Sequence, residues 1–268
     1  MDVLDLDAYV GRSRAVRLDD LAWDEVPRRP IDAETVRVLR YMQDIESHTI
    51  VYERELARTR AIDEPEVSTF LACWLYEETF HGHALRRFLD AAGHPTPDRG
   101  RGRVSLTERL QSAAMAMVAG AWPDFVAVHM TWGAINEITA LNAYQLLADR
   151  ADHPVLSELL ARIGRDEARH FAFYFKQAER RLARPGAARV ARFLVDRFWA
   201  PVGAGVRPFD DMRFIARHLF GDAEGQAAAR RIDAMIRKLP GFADVQLVEA
   251  WVARHVEPVS SCTNRVAA

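Results

Sequence analysis

Four glutamates at matched places on the apolar faces of long helical stretches constrain this chain more than any other feature. Two of them open a Glu-x-x-His pair: Glu78 and His81 in "WLYEETFHGHAL", and Glu167 and His170 in "IGRDEARHFAFY". Residues three apart on a helix share a face, about 4.5 Å apart along the axis, so each pair reaches one point from one helix. Roughly 0.6 such pairs are expected by chance with this chain's Glu and His counts, so the pairs alone decide little. Their setting decides more. Glu46, Pro65, Glu78 and His81 are echoed about ninety residues later by Glu137, Pro154, Glu167 and His170.

The periodicity predicts helices from about Ala33 to Arg60, Pro65 to Ala92, after Pro123 to Arg150, and Pro154 to Ala183. Val36, Leu39, Met42, Ile50 and Leu56 mark the inner face of the first. A Gly/Pro/Arg-rich segment, "AGHPTPDRGRGR", and a shorter helix from about Leu106 to Ala121 join the two hairpins. That connection is long enough to run the length of a bundle. Beyond Pro185 shorter helices are broken at Pro201, Pro208, Gly221 and Pro240. Strand and hairpin signals are nearly absent. The expectation is one all-α domain over 1–268: a ferritin-like four-helix bundle at 33–183 with a helix-containing crossover, and a helical extension at 184–268 packed on it.

Within each predicted hairpin the two glutamates are equally far from the turn, roughly 22–25 Å at about 1.5 Å per residue. All four lie on apolar faces, beside Leu39 and Met42, Leu71 and Trp74, Val126 and Met130, or Leu156 and Ile163. Four carboxylates buried at one level repel unless cations sit among them. Two divalent metals held by four Glu and two His meet that need, and the oxygen-rich ligand set speaks against zinc–thiolate or haem.

Glu53 and Glu55 are alternatives to Glu46. Glu53, however, lies about 10 Å nearer the turn, and Glu55 points off the inner face, so Glu46 is preferred. His48, His83 and His129 read as packing or supporting residues. Asp166 is expected to support His81, because metal-bound imidazoles usually give their other N–H to a carboxylate; Glu77 supports His170 by symmetry alone. Trp74 and Trp132 read as core aromatics, and Arg180, Arg181, Arg184, Arg189 and Arg192 as a solvated helix face.

A formal charge of −2 over 268 residues gives no reason to expect a nucleic-acid partner. Two distant cysteines build no disulfide framework, and the longest apolar run, Ala113 to Ala121, is too short to span a bilayer. Without a basic, then apolar, leader the expected location is cytoplasmic.

With these residues assembled, the stretch from about Val36 to Lys176 resembles the soluble acyl-acyl-carrier-protein desaturases of the ferritin-like di-iron superfamily. "WLYEETFHG" is similar to that family's Trp-x-x-Glu-Glu-x-x-His-Gly, and "DEARH" to its Asp-Glu-x-Arg-His. The resemblance implies Glu46, Glu78, His81, Glu137, Glu167 and His170 as ligands of two iron ions, with manganese possible at one position, and Asp166 as a supporting residue. It further implies dioxygen as co-substrate, an external electron donor of ferredoxin type, an acyl-carrier-protein or CoA thioester substrate, and a homodimer. The family often places a Thr one turn after the third-helix Glu. This chain has Ala140 there and Thr139 one residue earlier, which makes Thr139 the candidate hydroxyl and leaves a hydroxylase or N-oxygenase as the alternative. A non-enzymatic, ferritin-like iron-binding protein is a further alternative. A radical-generating role would need a tyrosine at the metals. Tyr144 shares the ligand face but lies two turns from Glu137. An acidic carrier would suit an Arg patch, either Arg86 and Arg87 or the group from Arg180 to Arg192.

Overall fold

The computed structural model describes residues 5–57, 59–96, 124–201, 203 and 207–256, side chains excepted at 51–55, and its regular elements there are helical. The short α1 (Leu6–Val10) and a 3-10 turn at Trp23–Arg28 precede the long helices α2 (Ala33–Leu56), α3 (Pro65–Ala91), α4 (Phe125–Arg150) and α5 (Pro154–Leu182). Then follow α6 (Pro185–Phe198), α7 (Phe209–Phe220), α8 (Ala223–Ile236) and α9 (Val248–His255). The expected helix at Leu106–Ala121 falls outside the described residues.

Local chemistry sets the helix ends. Asp32 accepts from the Thr35 amide at 2.7 Å and its hydroxyl at 2.9 Å, satisfying donors that the first turn of α2 leaves unpaired. Proline occupies the first turns of α3, α5 and α6, where a missing N–H costs nothing. Helix α2 stops four residues before the expected Arg60, because Thr59 turns the chain into a second 3-10 turn, Arg60–Asp63, and accepts from the Ala61 amide. Buried Asp233 of α8 accepts from the Val248 and Glu249 amides at 3.0 Å each and so caps α9.

Helix α2 packs along α3, and α4 along α5, as short connections require. Fully buried Leu39, Leu71, Leu85, Ile135, Leu156 and Ile163 line these contacts. Each such side chain contributes about 1.5–3 kcal/mol by leaving water. Phe70 of α3 stacks on Phe173 of α5 with ring centres 3.8 Å apart, and Tyr174 meets Phe70 edge-on. Ile50, expected on the inner face of α2, is 48 % exposed: the buried stripe passes through the neighbouring Thr49 and on to Leu56, leaving Ile50 beside it. The C-terminal helices cover α2 and α4. Arg207 pairs with Asp44, Arg37 with Asp211 at 2.8 Å, and Arg150 reaches Asp222 at 2.9 Å.

Gly133 of α4 lets the Tyr174 ring come close to its backbone: a Cβ built on Gly133 would lie 2.3 Å from that ring. Gly133→Ala is therefore expected to displace Tyr174 and lower stability by about 1–3 kcal/mol, the usual cost of overpacking. A denaturant midpoint unchanged from wild type would contradict this contact.

Candidate metal centre

All six residues singled out as ligands lie in one buried layer, at the level where the two helix pairs face each other. One donor atom from each of Glu46, Glu78, His81 and Glu167 lies within 4.8 Å of the others, and the same holds for Glu78, Glu137, Glu167 and His170. Glu78 and Glu167 belong to both groups. The arrangement is two adjacent positions sharing two carboxylates, with Glu46 and His81 at one end and Glu137 and His170 at the other.

The atoms facing the middle of this layer are those without hydrogen bonds. Glu46 Oε2, Glu78 Oε1, Glu167 Oε1, His81 Nδ1 and His170 Nδ1 are buried and unpartnered. His81 Nδ1 is 3.3 Å from Glu167 Oε1 and 4.0 Å from both Glu46 Oε2 and Glu78 Oε1. His170 Nδ1 is 3.1 Å from Glu78 Oε1, 3.5 Å from Glu167 Oε2 and 3.6 Å from Glu137 Oε2. Buried polar atoms are normally satisfied, so convergent orphans of this kind fit cations. A set of carboxylate oxygens and imidazole nitrogens suits a divalent transition metal.

Four outward-facing atoms of the layer have partners. His81 Nε2 lies 3.1 Å from Asp166 Oδ2 and His170 Nε2 lies 2.8 Å from Glu77 Oε2. With Nε2–H assigned to these bonds, each ring turns its Nδ1 lone pair inward. Arg169 bridges the two supporting carboxylates, donating to both Glu77 and Asp166. Tyr9 of α1 donates to Glu77 at 3.3 Å and lies under the Arg169 guanidinium, 5.5 Å from its ring centre. On the opposite side, the Trp74 indole donates to Glu137 Oε1 at 3.1 Å, and the Tyr144 hydroxyl donates to Glu46 Oε1.

Sequence reasoning undervalued Trp74 and Tyr144 and missed Tyr9 and Arg169. Arg169 was visible inside "DEARH", one residue before the candidate ligand His170; nothing local marks Tyr9. Thr139, the expected hydroxyl, donates back to the Ile135 carbonyl at 2.7 Å. His48 and His83 are exposed, and buried His129 packs on Tyr174 away from the layer. The Glu53 and Glu55 side chains lie outside the described residues. Most of the Arg face is tied to this chain's own carboxylates: Arg180 to Glu66, Arg181 to Glu64, Arg184 to Asp124, Arg192 to Asp196 and Asp244. Arg87 covers Trp23 at 4.3 Å, while Arg86 and Arg189 are exposed.

Two cavities adjoin the layer. The first, of about 390 Å³, is bordered by Glu46, Glu78, Glu137 and Glu167 and reaches outward past Trp132, His48 and the exposed Phe198. The second, of about 90 Å³, has walls of Met42, Ala143, Tyr144, Met212, Ile215, Phe220 and Trp251. Ile45, Glu46, Ala140 and Pro201 border both.

Charge in the layer is balanced by protons when no cation is present. Burial pushes Glu78 up to about 7, assisted by Glu167 beside it, and Glu137 up to about 8; burial and Glu78 raise Glu46 further. Burial also works against Glu167, but hydrogen bonds from His170 and His81 outweigh it and hold Glu167 below the ordinary carboxylate range. Burial opposes the charged form of His81, yet Asp166 and Glu167 lift it to about 9. Metal binding must expel these protons, so affinity rises with pH.

Glu78, Glu137 and His81 hold protons in the fold to higher pH than unfolded groups, which lose them near 4.5 and 6.5. The stability they supply is complete below those unfolded values and is lost as pH climbs through about 7 to about 9. The depressed groups, Glu167, Glu77 and Asp166, contribute a constant amount across that window. The thermal midpoint of the metal-free chain is thus expected to fall from pH 6.5 to about 9, and that of the loaded chain to fall less. Parallel curves for the two forms would mean that no cation replaces these protons.

No protein-family model, no curated protein and no solved structure matches this chain. No described helix is long and apolar enough to cross a membrane.

Proposed function

We propose that this chain is a di-iron oxidoreductase of the ferritin-like four-helix type, which uses dioxygen to introduce a double bond into a thioester-linked acyl chain. The observation that carries the reading is the pair of donor groups sharing Glu78 and Glu167 beside a deep, largely apolar cavity. Glu46 and His81 would hold one ion, Glu137 and His170 the other, and Glu78 and Glu167 both. Two iron ions so held would supply reductive activation of dioxygen. Overall, two C–H bonds of a saturated –CH2–CH2– unit give two hydrogens, an external ferredoxin-type donor gives two electrons, two protons enter, and dioxygen leaves as two waters.

The chain's own residues provide the conditions. Asp166 and Glu77 fix the ring planes and keep His81 and His170 as inward-facing donors. Arg169 balances those carboxylates, so their charge does not draw the imidazole protons outward. Trp74 and Tyr144 fix the terminal carboxylates. The apolar walls of the smaller cavity beside Glu46 would offer an alkyl chain a dry surface, away from the side reactions that water allows a strong oxidant.

One observation favours a second reading. Position 140 is Ala, and the neighbouring Thr139 hydroxyl is turned to its own helix, so this chain lacks the hydroxyl that the desaturases often carry there. A di-iron hydroxylase or N-oxygenase is compatible with that difference. Mass spectrometry separates the readings: acyl-carrier-protein and acyl-CoA substrates are incubated with iron-loaded, reduced protein and oxygen. Loss of two hydrogens supports desaturation and gain of one oxygen supports hydroxylation. Unchanged substrates alongside plain iron uptake and release would support a ferritin-like binding role.

The site makes a prediction before any substrate is found. Wild type should hold about two iron ions per chain. Glu78→Ala is expected to lose both, because Glu78 belongs to both groups, and His170→Ala mainly one. Both variants should stay helical by circular dichroism. Full metal content in either would remove that residue from the ligand set.

A further inference from the structure

Tyr144 of α4 reaches across to α2. Its hydroxyl donates to Glu46 Oε1, while Glu46 Oε2 makes no hydrogen bond and faces Glu78, His81 and Glu167. One oxygen of this terminal carboxylate is therefore tethered and the other is presented. The opposite end has the same plan with a different donor, the Trp74 indole on Glu137 Oε1, leaving Oε2 near His170. Tyr144 is 2 % exposed, so water has little access to take over its bond. Its ring also walls the smaller cavity. A glutamate free to rotate loses side-chain entropy when an ion captures it; one already held by a neighbour loses less.

We propose that Tyr144 is a positioning residue for one metal position only: it holds Glu46 so that Oε2 points into the group formed with Glu78, His81 and Glu167. The inference rests on the two-metal reading above and adds that the two ends of the centre are tuned separately, by a phenol and by an indole. An indole N–H only donates, whereas a phenol oxygen donates and accepts, so the Glu46 end keeps a flexible partner that the Glu137 end lacks.

Tyr144→Phe removes the hydroxyl and keeps the ring that packs against the cavity. Metal-free wild type and variant are titrated anaerobically with Fe(II), ions bound per chain are counted, and thermal unfolding is followed in metal-free and loaded forms. Wild type should take up two ions. The variant should bind one of them as wild type does and the other about 10–100-fold more weakly, the usual effect of losing a ligand's supporting partner. By linkage, its thermal midpoint should then drop further in the loaded form than in the metal-free form. Trp74→Phe should weaken one ion as well, and the double variant both, because the two donors act on different positions.

A packing role for Tyr144 would lower both forms alike and leave both affinities unchanged, and that result overturns the inference. Equal weakening of both ions overturns it too, as does a double variant in which only one ion is weakened. Wild type that fails to take up two ions would overturn the two-metal reading itself and this inference with it.

Discussion

The central constraint on this structure is electrostatic: Glu46, Glu78, Glu137 and Glu167 are buried at one level, and Glu46, Glu78 and Glu167 each keep an oxygen without a hydrogen bond there. Removing a carboxylate from water costs several kcal/mol even after relaxation, and a like-charged neighbour adds to it. The metal-free chain offsets this with protons, which is why three of the four carboxyls are pushed up while Glu167, between two imidazoles, is held down. A pair of divalent cations would serve the same purpose, its four positive charges matching the four carboxylates. The layer thus acts as a proton store until a metal displaces the protons.

The second consequence concerns how rigidly the layer is held. Direct backbone packing is dense within α2–α3 and within α4–α5 but sparse between the pairs. Long polar side chains span the gap: His81 to Asp166, His170 to Glu77, Trp74 to Glu137 and Tyr144 to Glu46. Each of these bonds joins one pair to the other. The contacts that orient the candidate ligands also hold the two hairpins in register, so the site and the fold share their specificity.

The helices were legible because their signals are local. Proline at the first turn of α3 and α5, and a 3.6-residue apolar period, placed their ends within a residue. The layer of carboxylates and imidazoles was legible for a related reason: equal distance from a hairpin turn puts residues of paired helices at one level, and that distance can be counted in sequence. Tyr144 was misjudged because its distance was counted along its own helix from Glu137, whereas its partner Glu46 is on another helix. Tyr9 was invisible for the opposite reason. It sits in a five-residue helix with no periodicity of its own, and its place beside Glu77 is fixed by tertiary packing on Phe70 and Phe173. Ile50 shows the limit of a face read from apolar residues alone, since the buried position at that turn is the polar Thr49.

Space near the centre follows from side chains that sequence could name but not orient. Gly133 and Tyr174 pack against each other and both border the larger cavity, as does the small Ala140. That cavity lies where α2 and α4 meet the chain after α6, and Phe198 and Pro201 border it. The region beyond Pro185, outside the stretch that carries the family resemblance, therefore supplies part of the border of the larger cavity and much of the wall of the smaller one. If the proposed chemistry is set by the carboxylate layer of the four long helices, the residues beyond Pro185 that wall the cavities, Phe198 beside the larger and Met212, Phe220 and Trp251 beside the smaller, are where a substrate would be selected.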